Sequence, residues 1–274
     1  MHTHDRPRAV ARQLPCTVLT LLAAFAVPHA EASLIGLYTF DSGTAVDESG
    51  NGNHATSNTA TFLATGGLDG SGAFDFAASS IVVPIDINAS ALPALTMGAW
   101  VNADTYGSGS AGKVLSHDNG SFDRSLGIDF REGTGSSPPP EYAAYSGVGV
   151  AQGGAVGFGT WQFIAVRYDG TSMTLDVDGA RRTVADSTDL DIGLTSTWIG
   201  VNPTFGEFFD GLIDNVFFFD EYLADSAIDA IRTGGTAELL RIASPVPEPG
   251  TLVLGLLGMA AVARARRGSH RAAG

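Results

Sequence analysis

Two alternating apolar runs meet at Asp169-Gly170 inside the stretch Gly159 to Gly179, which reads GTWQFIAVRYDGTSMTLDVDG. An Asp-Gly pair between two such runs is a strong hairpin signal, because both residues tolerate the positive φ angles of a tight reversal. The first run puts Trp161, Phe163 and Ala165 on one face and Ile164, Val166 and Tyr168 on the other. A strand that is apolar on both faces belongs inside a sheet that is covered on both sides. The second run sets Met173, Leu175 and Val177 against Thr174, Asp176 and Asp178, so one of its faces is expected to reach solvent.

The rest of the chain has the punctuation of an all-β fold. Strands are expected at Leu34 to Phe40, Ala73 to Ala77, Ser80 to Pro84, Leu95 to Asn102, Lys113 to His117, Ser125 to Phe130, Trp161 to Tyr168, Met173 to Asp178, Thr197 to Val201 and Gly211 to Phe219. Short strands at this spacing, separated by turn residues, describe a sandwich. One helix is expected over Ala224 to Arg232, stopped by Gly234-Gly235. Ser136 to Pro140 contains three consecutive prolines and cannot be a central strand, and Gly147 to Gly159 reads as a loop or an irregular edge. Trp100, Trp161 and Trp198 each lie within an apolar strand, which argues for core packing over sugar stacking.

Both ends read as addresses. Arg6, Arg8 and Arg12 precede an apolar run from Leu14 to Val27 and an Ala30-Glu31-Ala32 cleavage pattern, so residues 1–32 form a secretory signal peptide. The only cysteine, Cys16, lies within it, which leaves the mature chain without thiol or disulfide chemistry. At the other end Pro247-Glu248-Pro249 is followed by an apolar run from Thr251 to Ala263 and then by Arg264, Arg266 and Arg267. The run is shorter than the roughly 20 residues of an ordinary membrane-spanning helix. This order of features resembles the PEP-CTERM sorting signal of Gram-negative bacteria. The resemblance implies a segment at 246–267 that is recognised by an exosortase, with transient or retained anchoring in the inner membrane and delivery to the cell surface or extracellular matrix. Residues 268–274 form a tail.

Between the two signals, residues 33–243 hold the folded domain. From Ser33 to Pro245 there are 26 Asp and Glu against 8 Lys and Arg, a formal charge of −18. Such a balance disfavours nucleic acid and anionic membrane surfaces as partners. Leu34 to Asp41, Asp47 to His54, Ala73 to Phe76, Thr96 to Val101, Gly159 to Val166, Val177 to Gly179 and Gly211 to Val216, in that order, resemble the motifs of a LamG-like, concanavalin A-like jelly roll. That resemblance implies two antiparallel sheets, the concave one often forming a carbohydrate-binding face. Its members range from lectin-like modules to hydrolases, so it does not fix an activity.

Asp47, Ser49, Asn51 and Asn53 offer several oxygens in a Gly-rich turn, a ligand type that suits Ca²⁺. Asp214, inside the apolar Leu212 to Phe217, needs a partner of some kind. The resemblance would bring Asp214 towards the Asp47 loop, making Asp47, Asn51, Asn53 and Asp214 a structural calcium set. Plain turn chemistry explains the first three residues equally well.

Catalytic patterns are sparse. Hydrolases of the resembled fold typically carry Glu-x-Asp-x-x-Glu on one strand, and no such run occurs here. His54 and His117 sit in turn-rich surroundings and read as solvated loop residues. Gly107 to Gly112 matches a dinucleotide fingerprint by letter, but a strand-like run follows it where a helix is required. The sequence therefore favours a non-catalytic, exported protein that binds glycan or exopolysaccharide or mediates adhesion. Tyr106, His117, Asp118, Asn119, Asp123, Tyr142 and Tyr145 are its candidate contacts, because loops supply such groups. A divergent polysaccharide hydrolase is the alternative.

Overall fold

The computed structural model describes residues 33–108, 111–120, 122–129, 140–147, 149–186 and 193–244. Residues 1–32, expected to be a signal peptide that includes Cys16, lie outside the described residues, as do Phe130, most of the proline run and the sorting segment. Strands open the domain as β1 (Leu34–Tyr38), β2 (Ser57–Asn58), β3 (Thr61–Leu63), β4 (Ala73–Ala77), β5 (Ile81–Val83) and β6 (Leu95–Ala103). They continue as β7 (Ala111–Ser116), β8 (Ser125–Asp129), β9 (Glu141–Ser146), β10 (Gly149–Ala155), β11 (Gln162–Tyr168) and β12 (Ser172–Val177). The last are β13 (Ala180–Ala185), β14 (Thr197–Ile199), β15 (Val201–Asn202), β16 (Glu207–Phe208) and β17 (Asp210–Phe219), before helix α1 (Asp225–Ala243).

Two sheets result. The first runs β13-β12-β11-β6-β17-β4-β3, with β1 also on β17. The second runs β10-β9-β8-β7-β14-β5-β2, with β15 and β16 beside β7. Pairing is antiparallel except where Phe208 of β16 meets Lys113 of β7. The architecture is the expected antiparallel sandwich.

The hairpin forms as the sequence requires. Strands β11 and β12 pair from Ile164–Val177 to Tyr168–Met173, and Asp169 Oδ1 accepts hydrogen bonds from the backbone N–H groups of Thr171 and Ser172 across the turn. Strand β11 also pairs with β6 along its whole length, so it lies inside the sheet. Its Ile164, Val166 and Tyr168 enter the core between the sheets with Met97, Val101, Leu126 and Ile128. On the other face Phe163 and Ala165 join Trp100, Phe217 and Phe219 in a second apolar layer. Helix α1 closes that layer with Ile228, Ile231 and Leu239.

The helix also changes two expectations. Thr174 and Asp176, expected to face water, are buried. Thr174 Oγ1 lies 2.7 Å from the Tyr222 hydroxyl, and Asp176 Oδ2 lies 2.6 Å from Arg181 Nε. Arg181 reaches on to Asp229 of the helix, so a polar seam joins β12, β13 and α1. The helix itself runs past its expected end. Gly235 does break the helical geometry, at φ 58° and ψ −145°, but the chain resumes its turns to Ala243 because Leu239 still has apolar surface to cover.

Other departures are local. Gly147 to Gly159 contains the edge strand β10, irregular where its register shifts between Gly153 and Ala155. Thr197 to Val201 is cut at Gly200, whose φ is 87° and where a Cβ would overlap the Phe76 ring. Strands β2, β3, β9, β13 and β16 lack a strong alternating signal, and most of them are short or lie at sheet edges. Among the described residues no helix is long and apolar enough to cross a membrane.

Candidate functional site

The outer face of the second sheet is built differently from the first. Along β8 and β9, Leu126, Ile128 and Ala144 point into the core, which turns Ser125, Asp129 and Tyr145 outward by strand alternation. Lys113 of β7 joins them. Its Nζ lies 3.2 Å from Asp129 Oδ2 and 4.0 Å from the centre of the Tyr145 ring, and the Tyr145 hydroxyl donates to the same carboxylate oxygen at 2.7 Å. All three side chains are buried, so each charge is matched where water cannot screen it.

Two loops rise beside this floor. In the first, Asp118 N donates to Ser116 Oγ, Gly120 N donates to Asp118 Oδ1 at 2.7 Å, and Asn119 N donates to Asp123 Oδ2 at 3.0 Å. These bonds hold Phe122 at φ 63°, a left-handed conformation unusual for a large side chain. Its ring stacks on Tyr145 at 5.9 Å and 20°, yet the residue stays 52 % exposed. In the second loop Asn202 Nδ2 donates to Asp118 Oδ2 at 2.8 Å and Thr204 Oγ1 donates to the Asp118 carbonyl at 2.8 Å. Phe205 follows, 58 % exposed. Between floor and loops lies a cleft of about 170 Å³ lined by Lys113, Asp118, Gly120, Phe122, Ser125, Tyr145 and Phe205.

The candidate contacts read from the sequence divide over the molecule. Asp118 and Tyr145 line the cleft. Asn119 and Asp123 brace its loop from within. His117 is fully buried, with Nδ1 3.1 Å from the Leu194 carbonyl, and is not the solvated loop residue expected. Tyr142 faces the core, where burial pushes its hydroxyl far above the usual range and Gln162 accepts its hydrogen bond. Tyr106 is exposed elsewhere, in edge contact with Phe158 at 4.6 Å. Of the tryptophans, Trp100 and Trp161 belong to the layer under α1, and Trp198 is half-buried on β14.

The four residues expected to share a calcium ion are not brought together as ligands. Asp47 spends its carboxylate on backbone donors: Leu37 and Ser49 on Oδ1 at 3.0 and 2.9 Å, Asn53 on Oδ2 at 2.9 Å. Burial works to raise this carboxyl, and those bonds outweigh it and hold it below the ordinary range. Asn51 and Asn53 turn their amide nitrogens to the carbonyls of Leu34 and Ile35. The turn is thus a staple across β1, as the turn-chemistry reading has it. Asp214 sits by a different loop, where Oδ2 accepts from Leu68 N at 2.8 Å and Oδ1 is buried without a hydrogen-bond partner. Burial, with Asp41 and Asp69 nearby, pushes its pKa up to about 7. Among the described residues no cluster of three or more His, Cys, Asp or Glu side chains is placed to hold a metal ion.

With fold and cleft described, relatives can be placed. The sequence matches the family model of the concanavalin A-like lectin/glucanases superfamily over residues 77–229. The chain belongs to that superfamily. A second model, the PEP-CTERM protein-sorting motif, matches residues 245–267, which include Pro247, Glu248, Pro249 and the Arg264, Arg266 and Arg267 cluster. The motif implies exosortase-dependent export. No curated protein matches the sequence.

Solved structures agree on the fold of this superfamily member. Domain 4 of AbnA, a GH43 extracellular arabinanase from Geobacillus stearothermophilus solved with arabinotriose, aligns with a TM-score of 0.56 at 18% identity, over 73% of this chain and 98% of that one. The binding domain of botulinum neurotoxin DC, solved with rat synaptotagmin II, aligns with a TM-score of 0.54 at 12% identity, over 74% of this chain and 51% of that one. Trypanosoma rangeli sialidase gives 0.54 at 16% identity, over 77% of this chain and 34% of that one. The chain thus spans nearly all of the arabinanase domain, half of the toxin binding domain and a third of the sialidase. These likenesses include both binding domains and hydrolases.

Proposed function

We propose that this protein is a non-catalytic glycan-binding protein of the cell surface or extracellular matrix, and that the cleft between Phe122 and Phe205 is its binding site. One observation supports this above the rest: Phe122 combines a left-handed backbone with half-exposure of its ring. Such a conformation costs on the order of 1–3 kcal/mol, and an exposed ring recovers little of that by burial. A ring kept in place against its own conformational preference is suited to stacking on a ligand, and sugar faces are a natural partner for aromatic rings held in this way. The superfamily and the arabinotriose in the arabinanase domain support the same ligand class.

The lining argues against hydrolysis. A retaining glycosidase needs two carboxyls about 5 Å apart, and an inverting one needs two somewhat further apart. Among the described lining residues Asp118 is the one carboxylate, and its oxygens accept from Gly120 and Asn202. Exosortase is the partner during export, and exopolysaccharide is the ligand source closest at hand for a chain sorted in this way. A glycan array run beside an assay of reducing ends tests the reading. Binding without release of reducing ends is expected, and turnover of any bound polysaccharide would return the hydrolase alternative.

A further inference from the structure

Building on that glycan-binding reading, we infer that the cleft takes the terminal, uncharged sugar of a glycan chain, not an internal stretch of it. Size is the first argument. A space of about 170 Å³ lies below the roughly 300–1,000 Å³ of sites that enclose drug-sized ligands. It has room for one sugar ring, and a second ring must lie outside.

Charge is the second argument. The cation among the described lining residues, Lys113, is 2 % exposed and already committed to Asp129 and to the face of Tyr145. It has no charge left to offer an anionic sugar. Asp118 lies in the same lining, so a uronate, sulfate or sialate would meet a carboxylate there in place of a cation. The surrounding domain, at −18 between Ser33 and Pro245, would repel such a ligand at longer range as well.

The third argument is the source of the apolar surface. Phe122 and Phe205 come from separate loops, one after β7 and one after β15, and no continuous strand face of aromatic residues extends from the cleft among the described residues. A groove for internal segments would present a row of such platforms. Here, among the described lining residues, the exposed aromatic surface ends with two rings, the third, Tyr145, being buried beneath Phe122.

Titration calorimetry on the full chain decides the matter, using neutral oligosaccharides of one to six residues, their reduced-end forms, and uronate and sialylated counterparts. Affinity that levels off at one or two residues for a neutral series, with charged counterparts on the order of tenfold weaker, is the expected result. Phe122→Ala and Phe205→Ala should each weaken that binding on the order of tenfold. Phe122→Gly guards against misfolding, because glycine accepts the left-handed backbone and leaves the loop intact. Affinity that keeps climbing through four or more residues, or a preference for charged sugars, overturns the terminal-sugar inference and leaves glycan binding standing. A folded protein that binds none of the series, with unchanged heats for both Phe122 variants, overturns the glycan-binding reading itself.

Discussion

The two outer faces of the sandwich are finished in opposite ways. On the first sheet, α1 lies over Trp100, Phe163, Phe217 and Phe219, and Arg181 ties Asp176 to Asp229 at the margin. On the second sheet, a buried ion pair forms a floor, and two phenylalanines are left exposed above it. An apolar strand face is thus sealed and a polar one is left open. The difference lies in what the flanking segments supply: a helix with an apolar stripe on one side, turn-rich loops with isolated aromatics on the other. Apolar surface that a fold conceals serves stability, and apolar surface that it holds open at conformational cost serves recognition.

If the sealed face is structural, damage there should lower stability without changing ligand preference. Trp100→Ala removes an indole that is 4 % exposed and packed on Phe163 at 4.9 Å. Its unfolding free energy should fall by about 3–5 kcal/mol in a denaturant titration. Below the shifted midpoint, glycan binding should be unchanged, and a selective loss of binding would break the comparison.

Asp214 tests the same side through pH. Its folded pKa of about 7 stands above the value near 3.8 for an unfolded Asp, so the folded chain holds this proton more tightly. Stability is therefore full at low pH and is lost as pH rises from about 4 through 7, by an upper bound of about 4 kcal/mol. Thermal melts across that window should show the decline, and Asp214→Asn should flatten it. A melting curve that rises with pH in both proteins would mean that other groups dominate.

The smallest expected effect sharpens the contrast most. Phe122→Gly relieves the left-handed strain and gives up the partial stacking on Tyr145, so stability should stay within about 1 kcal/mol of the parent. Binding should nevertheless weaken on the order of tenfold. A variant as stable as its parent that binds on the order of tenfold more weakly would separate the two faces cleanly.

The sandwich was legible because strand alternation is a local signal. The two-faced apolarity of Trp161 to Tyr168 announced a covered strand, and both covers exist: the core and α1. What covers a face is not local, so the sequence alone directs Thr174 and Asp176 to water and ends α1 at Arg232. The cleft was half legible. Asp118 and Tyr145 read from the sequence as polar and aromatic residues in or near loops, whereas Phe122 and Phe205 are not in that set. An aromatic among Asn119, Gly120 and Asp123, or between Pro203 and Gly206, has no periodic partner with which to reach a core. That mismatch was the available signal. The Asp47 turn has two equal readings in the sequence, calcium ligation and turn chemistry, and in the fold its carboxylate oxygens accept the N–H groups of Leu37, Ser49 and Asn53.

The position of α1 has a mechanical side. It is the last described element before the sorting motif that begins at residue 245, and side-chain packing and ion pairs hold it to the sheet without a backbone ladder. Any pull transmitted through the C-terminus loads this helix first, at its Ala243 end, and must strip it from the sheet turn by turn before strain reaches β17. Under such a load α1 would yield before the sandwich, because side-chain contacts and ion pairs alone hold it to the first sheet.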